Sequence, residues 1–224
     1  MKKMDIIRTA ETLFCRYGYE ATSIQDILDA LHTSKGSFYH HFASKELLLE
    51  EICRNRVSDP SGEAATGEGP AEPTERLDLL YREMIPFTGE KLSFLMMILP
   101  VFDLPEGTSL RVFYEKELTR RYCSEVAEVL RTGTATGSFF CTDALCAAEI
   151  SLLLVNNLWL KLCDMIILCE KDGNIADPGE MMNLIRQYRI SVERLLGAPY
   201  GSLKLISLPE LQFLTEQIHL HWKR

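Results

Sequence analysis

The apolar residues of this chain recur at helical intervals almost from end to end. Ile6, Ile7, Ala10, Leu13, Phe14 and Tyr17 step by threes and fours, a spacing that gathers them on one face of an α-helix. The same period returns through the remaining residues of the 224, with no alternating strand pattern. The expected fold class is therefore all-α.

The breaks between helices are as informative as the helices. Gly18 stops the first, as a residue that tolerates left-handed backbone should. Thr22-Ser23 opens a second, where a Thr-x-x-Gln capping box ends at Gln25 and Ile24, Ile27, Leu28 and Leu31 supply an apolar face. A break at His32-Thr33 leads to a third helix of under two turns, and Ser44 caps a fourth that carries Leu47, Leu48 and Ile52. Residues 58–75, SDPSGEAATGEGPAEPTE, hold no large apolar side chain and read as a flexible surface connection. The division expected is a helix-turn-helix domain over 1–56, a connection over 57–75 and a larger helical domain over 76–224. In that larger part, helices are expected over 74–88 with Pro86 as a breaker, 91–103, 108–132, 142–170, 178–196 and from Ser207 to near Trp222. Asp177-Pro178-Gly179-Glu180 and Ser207-Leu208-Pro209-Glu210 are both helix starts.

Charge narrows the function. The net charge is −8, but residues 1–56 carry eight Lys/Arg against eight Asp/Glu, so the acid excess lies in the rest of the chain. A neutral N-terminal segment can still face phosphates through its local charges. The seven cysteines are odd in number and lack CxxC spacing, which predicts reduced, mostly buried thiols. No secretory leader is expected, since charges stand at positions 2, 3, 5 and 8. Nor is a membrane span, because Glu149, Asn156, Asn157, Lys161 and Asp164 interrupt the most apolar helix. A cytoplasmic protein is the expectation.

The run His32–Glu46, HTSKGSFYHHFASKE, concentrates the chemistry. Two short helices joined by a tight break, flanked by a helix on each side, point to a helix-turn-helix. Phe38 and Phe42 are four apart and should face the bundle, leaving Lys35, Ser37 and His40 on other faces. A metal site is disfavoured: His40 and His41 project about 100° apart on a helix. No cofactor, metal, nucleophile–base pair or phosphate loop is expected, and the chain reads as a non-enzyme.

Residues 22–48, TSIQDILDALHTSKGSFYHHFASKELL, resemble the DNA-binding segment of the Tet repressor (TetR/AcrR) family of transcriptional regulators. Matching features are an aromatic-Gly before Thr-Ser, the Ser-Lys-Gly start, Phe-Tyr-x-His-Phe, and Ser-Lys-Glu-Leu at the fourth helix. The resemblance implies base contacts from Lys35, Ser37 and His40. It implies DNA-backbone contacts from Thr22 or Ser23 at the start of the second helix, from Thr33 as cap of the recognition helix, and from Tyr39 and Lys45. Two positions depart from the family pattern: His32 stands where glycine is usual, and Leu28 where alanine is frequent.

The same resemblance implies a homodimer and a ligand cavity in the acidic body. A small-residue stripe, Ala144, Ala148, Ser151 and Val155, with Leu184, Tyr188 and Val192 on the next helix, is the expected dimer interface. Phe94, Met97, Phe102, Phe113, Asn156 and Trp159 are the expected pocket, with Glu149 and Asn157 as further polar groups. The implied function is a ligand-responsive regulator, a repressor released from a palindromic double-stranded operator by a small apolar effector. A helical adaptor that binds protein instead of DNA is the alternative.

Overall fold

Helix starts and stops fall where capping chemistry places them. The computed structural model describes residues 2–58, 72–84 and 91–222, and these form ten α-helices and no strand. They are α1 (Lys3–Tyr17), α2 (Ile24–Ala30), α3 (Lys35–Tyr39), α4 (Lys45–Ser58), α5 (Pro73–Met84), α6 (Lys91–Phe102), α7 (Gly107–Thr136), α8 (Ala144–Lys171), α9 (Pro178–Leu196) and α10 (Leu208–Trp222). The expected connection over 57–75 falls mostly outside the described residues, and its last three positions belong instead to α5. Pro86 also lies outside them.

Two compact units emerge, and each draws on two stretches of sequence. The first is Met1–Asp59 with Thr88–Tyr114; the second is Pro60–Phe87 with Glu115–Arg224. Residues 88–114, expected in the larger body, thus pack with the N-terminal helices.

In the first unit, Ile6, Ile7, Ala10 and Phe14 of α1 meet Ile27, Leu28, Phe38, Leu48 and Ile52 in a core closed to solvent. Each large side chain removed from water there contributes on the order of 1.5–3 kcal/mol. α6 packs on α1, and the Cys15 thiol donates to the Ser93 carbonyl oxygen at 3.8 Å. The turn into α7 is tight: a Cβ on Gly107 would lie 2.5 Å from the Val101 carbonyl oxygen, so glycine is required there by space.

In the second unit, α8 packs against α5, α9 and α10. Its small-residue stripe is consumed by this packing. Ala148, Ser151 and Val155 are buried within the chain, as is Val192 of α9, so these four are core and not the expected dimer face. The physical reason is that small side chains let a helix of the same chain approach closely. Ala144, Leu184 and Tyr188 are half-buried, and the Tyr188 hydroxyl donates to the Asn157 Oδ1 of its own chain. The apolar residues α8 leaves in water are Leu145, Ile150, Leu153 and Leu168. In length and composition α8 would suffice to cross a membrane despite its polar interruptions, yet half of its most apolar window is buried in the protein.

Two buried acids hold the end of the chain. Asp78 accepts from the amides of Lys204 and Leu205 at 2.7 and 2.8 Å, which fixes Leu205 at φ 59. Glu170 of α8 meets the His219 Nδ1 of α10 at 2.8 Å.

The expected pocket residues divide between the units. Phe94, Met97, Phe102 and Phe113 lie in the first, Asn156 and Trp159 in the second. None of the six lines the cavity at Glu11 and Arg56 or the cavity at Tyr19 and Glu46. Glu149 and Asn157 are exposed. The cysteines are all free thiols, but only Cys53 and Cys163 are buried and Cys146 is exposed, fewer buried than expected.

Candidate nucleic-acid interface

The turn between α2 and α3 is a closed hydrogen-bonded loop. His32 N–H donates to the Asp29 carbonyl at 3.2 Å and Thr33 N–H to the Leu28 carbonyl at 3.0 Å. This crossed pair is the Schellman arrangement, which needs a left-handed residue at its centre. His32 supplies it at φ 50. Thr33 is therefore used in ending α2, and the residue that caps α3 is Ser34, with extended backbone at φ −96 and ψ 157. The expected cap at Thr33 is one residue early.

α3 has five residues and cannot persist alone. Phe38 is fully buried and Phe42 nearly so, their ring centres 5.9 Å apart, and they hold the helix down. The Lys3 ammonium stands 5.5 Å from the centre of the Phe42 ring and pairs with Glu51 at 2.6 Å. With the aromatics turned inward, Lys35, Tyr39 and His40 are exposed and Ser37 is half-buried. Tyr39 is 53% exposed although its ring meets Phe38 edge-on at 5.4 Å. The His40 and His41 rings meet edge-to-face at 5.0 Å, and no cluster of three metal-ligating side chains is present among the described residues.

The start of α2 differs from expectation. Its cap is Ser23, whose hydroxyl accepts from the Asp26 amide at 3.2 Å, while the Asp26 carboxylate accepts from the Ser23 amide and hydroxyl at 2.7 and 2.6 Å. The box is thus Ser-x-x-Asp, one residue beyond the Thr-x-x-Gln reading. Hydrogen bonds from the Ser23 side chain and amide hold the Asp26 carboxyl below the usual carboxylate range. Thr22 is 2% exposed, and its hydroxyl donates to the Gly18 carbonyl at 2.8 Å. That side chain is spent inside the fold, whereas Ser23 beside it is exposed.

Lys45 also points inward. Its ammonium donates to the carbonyl oxygens of Tyr19 and Thr22 at 2.9 and 3.1 Å. It locks the turn between α1 and α2 from the first residue of α4, a role with no signal in the local sequence.

Lys35, Ser37, Tyr39 and His40 thus share one exposed short helix, with Ser23 at the head of the helix before it. Such a set offers a long cationic donor, an imidazole and hydroxyls, the groups that reach base edges and phosphate oxygens.

Residues 6–52 match the model of bacterial regulatory proteins of the tetR family. Over those residues the chain is similar to the N-terminal segment of tetR-family regulators. Among the relatives of this chain, the HTH-type transcriptional repressor KstR2 of Rhodococcus jostii is 41% identical over 61 residues, covering 27% of this chain and 30% of that protein. The uncharacterized HTH-type transcriptional regulator YerO of Bacillus subtilis is 31% identical over 122 residues, 51% of this chain and 41% of YerO. The matched stretches span less than half of either relative. The structure of RolR in complex with resorcinol superposes with a TM-score of 0.59 at 16% identity, covering 96% of this chain and 93% of RolR. That likeness is one of fold, and it runs through the second unit as well as the first.

Proposed function

We propose that this chain is a ligand-responsive, DNA-binding transcriptional regulator that works as a cytoplasmic homodimer and represses its targets. The observation that carries the reading is the exposed, phenylalanine-anchored α3. Lys35 and His40 are its base readers, with Ser37 at the edge of the contact. Tyr39 and the start of α2 at Ser23 hold phosphates. A dimer would set two such helices about one helical turn, roughly 34 Å, apart on a palindrome. Repression rests on the name of KstR2, and response to a small-molecule effector on the resorcinol in RolR. The dimer face assigned here is the exposed row Leu145, Ile150, Leu153 and Leu168 of α8, because apolar side chains left in water along one helix gain most from being covered.

Selection of bound sequences from a random DNA library tests the reading. Recovery of a palindrome, bound with steep salt dependence, is expected. Lys35→Ala should cost about 1–3 kcal/mol and relax preference at one position per half-site; an unchanged preference would remove Lys35 from the readers.

One observation favours a second reading, an adaptor that binds protein. The Asp26 carboxylate stands fully exposed at the start of α2, where a phosphate would meet like charge. Recovery of no DNA from the library, with a protein partner captured by the immobilised chain, would favour it.

A further inference from the structure

The first unit also holds a cavity lined by none of the α3 residues. Glu46, Leu49 and Glu50 occupy one face of α4 at i, i+3 and i+4, and they line a cavity of about 220 Å³ together with Tyr19, Val101 and Glu106. The floor is aliphatic and the rim carries three carboxylates. No lysine, arginine or histidine lines it. Like charges four apart on a helix repel one another, so Glu46 and Glu50 are at a cost unless a cation shares them. Hydrogen bonds at the start of α4, from the Ser44 side chain and then the backbone, hold the Glu46 carboxyl below its usual range, so it is charged at neutral pH.

An independent observation comes from Tyr19. The residue is 4% exposed, and its hydroxyl is buried with no hydrogen-bond partner among the described residues. Buried hydroxyls are almost always paired. Burial, and then the charges of Glu46 and Glu106, push this hydroxyl upward and keep it protonated. The nearest cation does not serve it: the Lys45 ammonium lies over the face of the Tyr19 ring, 4.1 Å from its centre, with two donors taken by carbonyl oxygens.

We propose that this cavity binds a small organic cation, a primary alkylammonium whose N–H groups reach the carboxylates of Glu46 and Glu106 and the oxygen of Tyr19 while its chain lies on Leu49 and Val101. Three N–H donors match two carboxylates and one phenolic oxygen, and the aliphatic floor takes the alkyl part. A bare metal ion fits less well, since no group of three ligating side chains is gathered at coordination spacing among the described residues. The site uses none of the residues assigned above to DNA, so it stands or falls apart from the function proposed above.

Isothermal titration calorimetry of the full chain without DNA tests it, with n-hexylammonium, hexan-1-ol and hexanoate as probes. Hexylammonium is expected to bind at one site per chain, at least about ten-fold more tightly than hexanol, with hexanoate silent. Glu46→Gln with Glu106→Gln should weaken hexylammonium by about ten-fold or more, and Tyr19→Phe by a few-fold, with the circular dichroism spectrum unchanged. Equal binding of hexanol and hexylammonium, no binding of hexylammonium at millimolar concentration, or full affinity in the folded double variant would each overturn the proposal. Displacement of hexylammonium by equimolar Mg²⁺ would overturn it in favour of a metal site.

Discussion

Lys45 grips Tyr19 twice: its ammonium donates to the Tyr19 carbonyl oxygen at 2.9 Å and lies 4.1 Å from the centre of the same residue's ring. A lysine expected to reach outward to phosphate is thereby a clamp between α4 and the turn before α2. Charge-assisted bonds to carbonyls and a cation over a ring together predict a loss of about 2 kcal/mol for Lys45→Ala. Urea unfolding would show it; an unchanged midpoint with weakened DNA binding would return Lys45 to the phosphate role.

Phe38 and Tyr39 are neighbours with opposite duties. Phe38→Ala empties a closed site and should cost about 3–5 kcal/mol, read as a lower thermal midpoint. Tyr39→Phe removes one half-exposed hydroxyl, so it should leave the midpoint in place while weakening DNA binding by about 1 kcal/mol. Fluorescence anisotropy beside calorimetry separates the two effects.

His32 sits in left-handed backbone at φ 50. Relief of that strain by glycine is offset by the freedom glycine gains in the unfolded chain. His32→Gly should therefore shift stability by no more than about 0.5 kcal/mol, whereas β-branched His32→Val should cost about 1–2 kcal/mol. Equal effects of the two substitutions would contradict the turn geometry.

The Ser23–Asp26 box predicts a pH dependence. The Asp26 carboxyl is held below its unfolded value of about 3.8, so its contribution is fully present above that value and disappears as pH falls through the lower folded value. Asp26→Asn should lower the thermal midpoint at pH 7, and the gap from the parent chain should close on acidification. A gap that stays constant into strong acid would count against the charged box.

α8 carries both closed and exposed side chains. Ser151→Leu should overpack the second unit and cost about 1–3 kcal/mol. Leu153→Glu, at a position 52% exposed, should leave the folded chain intact and weaken self-association in sedimentation velocity. The reverse pattern would restore the small-residue stripe to the interface.

Periodicity made the helices and the inward turn of Phe38 and Phe42 legible, because an i, i+4 pair of large apolar side chains has one place to go. Caps were legible to within a residue: Asp177, Ser44 and Ser207 stand as expected, while Ser23 displaced Thr22 and Ser34 displaced Thr33. Adjacent Ser and Thr residues can each cap, and the choice is made by which amide the backbone presents. The stripe at Ala148, Ser151 and Val155 was visible but its partner was not, since small residues invite close approach by a helix of either the same chain or another. The Tyr19 cavity left no trace in local sequence, because its carboxylates come from α4 and from Glu106 just before α7, dozens of residues apart.

The first unit is discontinuous, and this bears on how the molecule can be taken apart. α1 is packed by α6 as well as by α2 and α4, so a fragment ending at residue 58 would lose the α6 packing around Cys15. No single cut can release this head with its packing whole. A protease nick in the stretch after α4 should leave both pieces associated, and a useful excised head would need residues 88–114 joined back by an engineered splice.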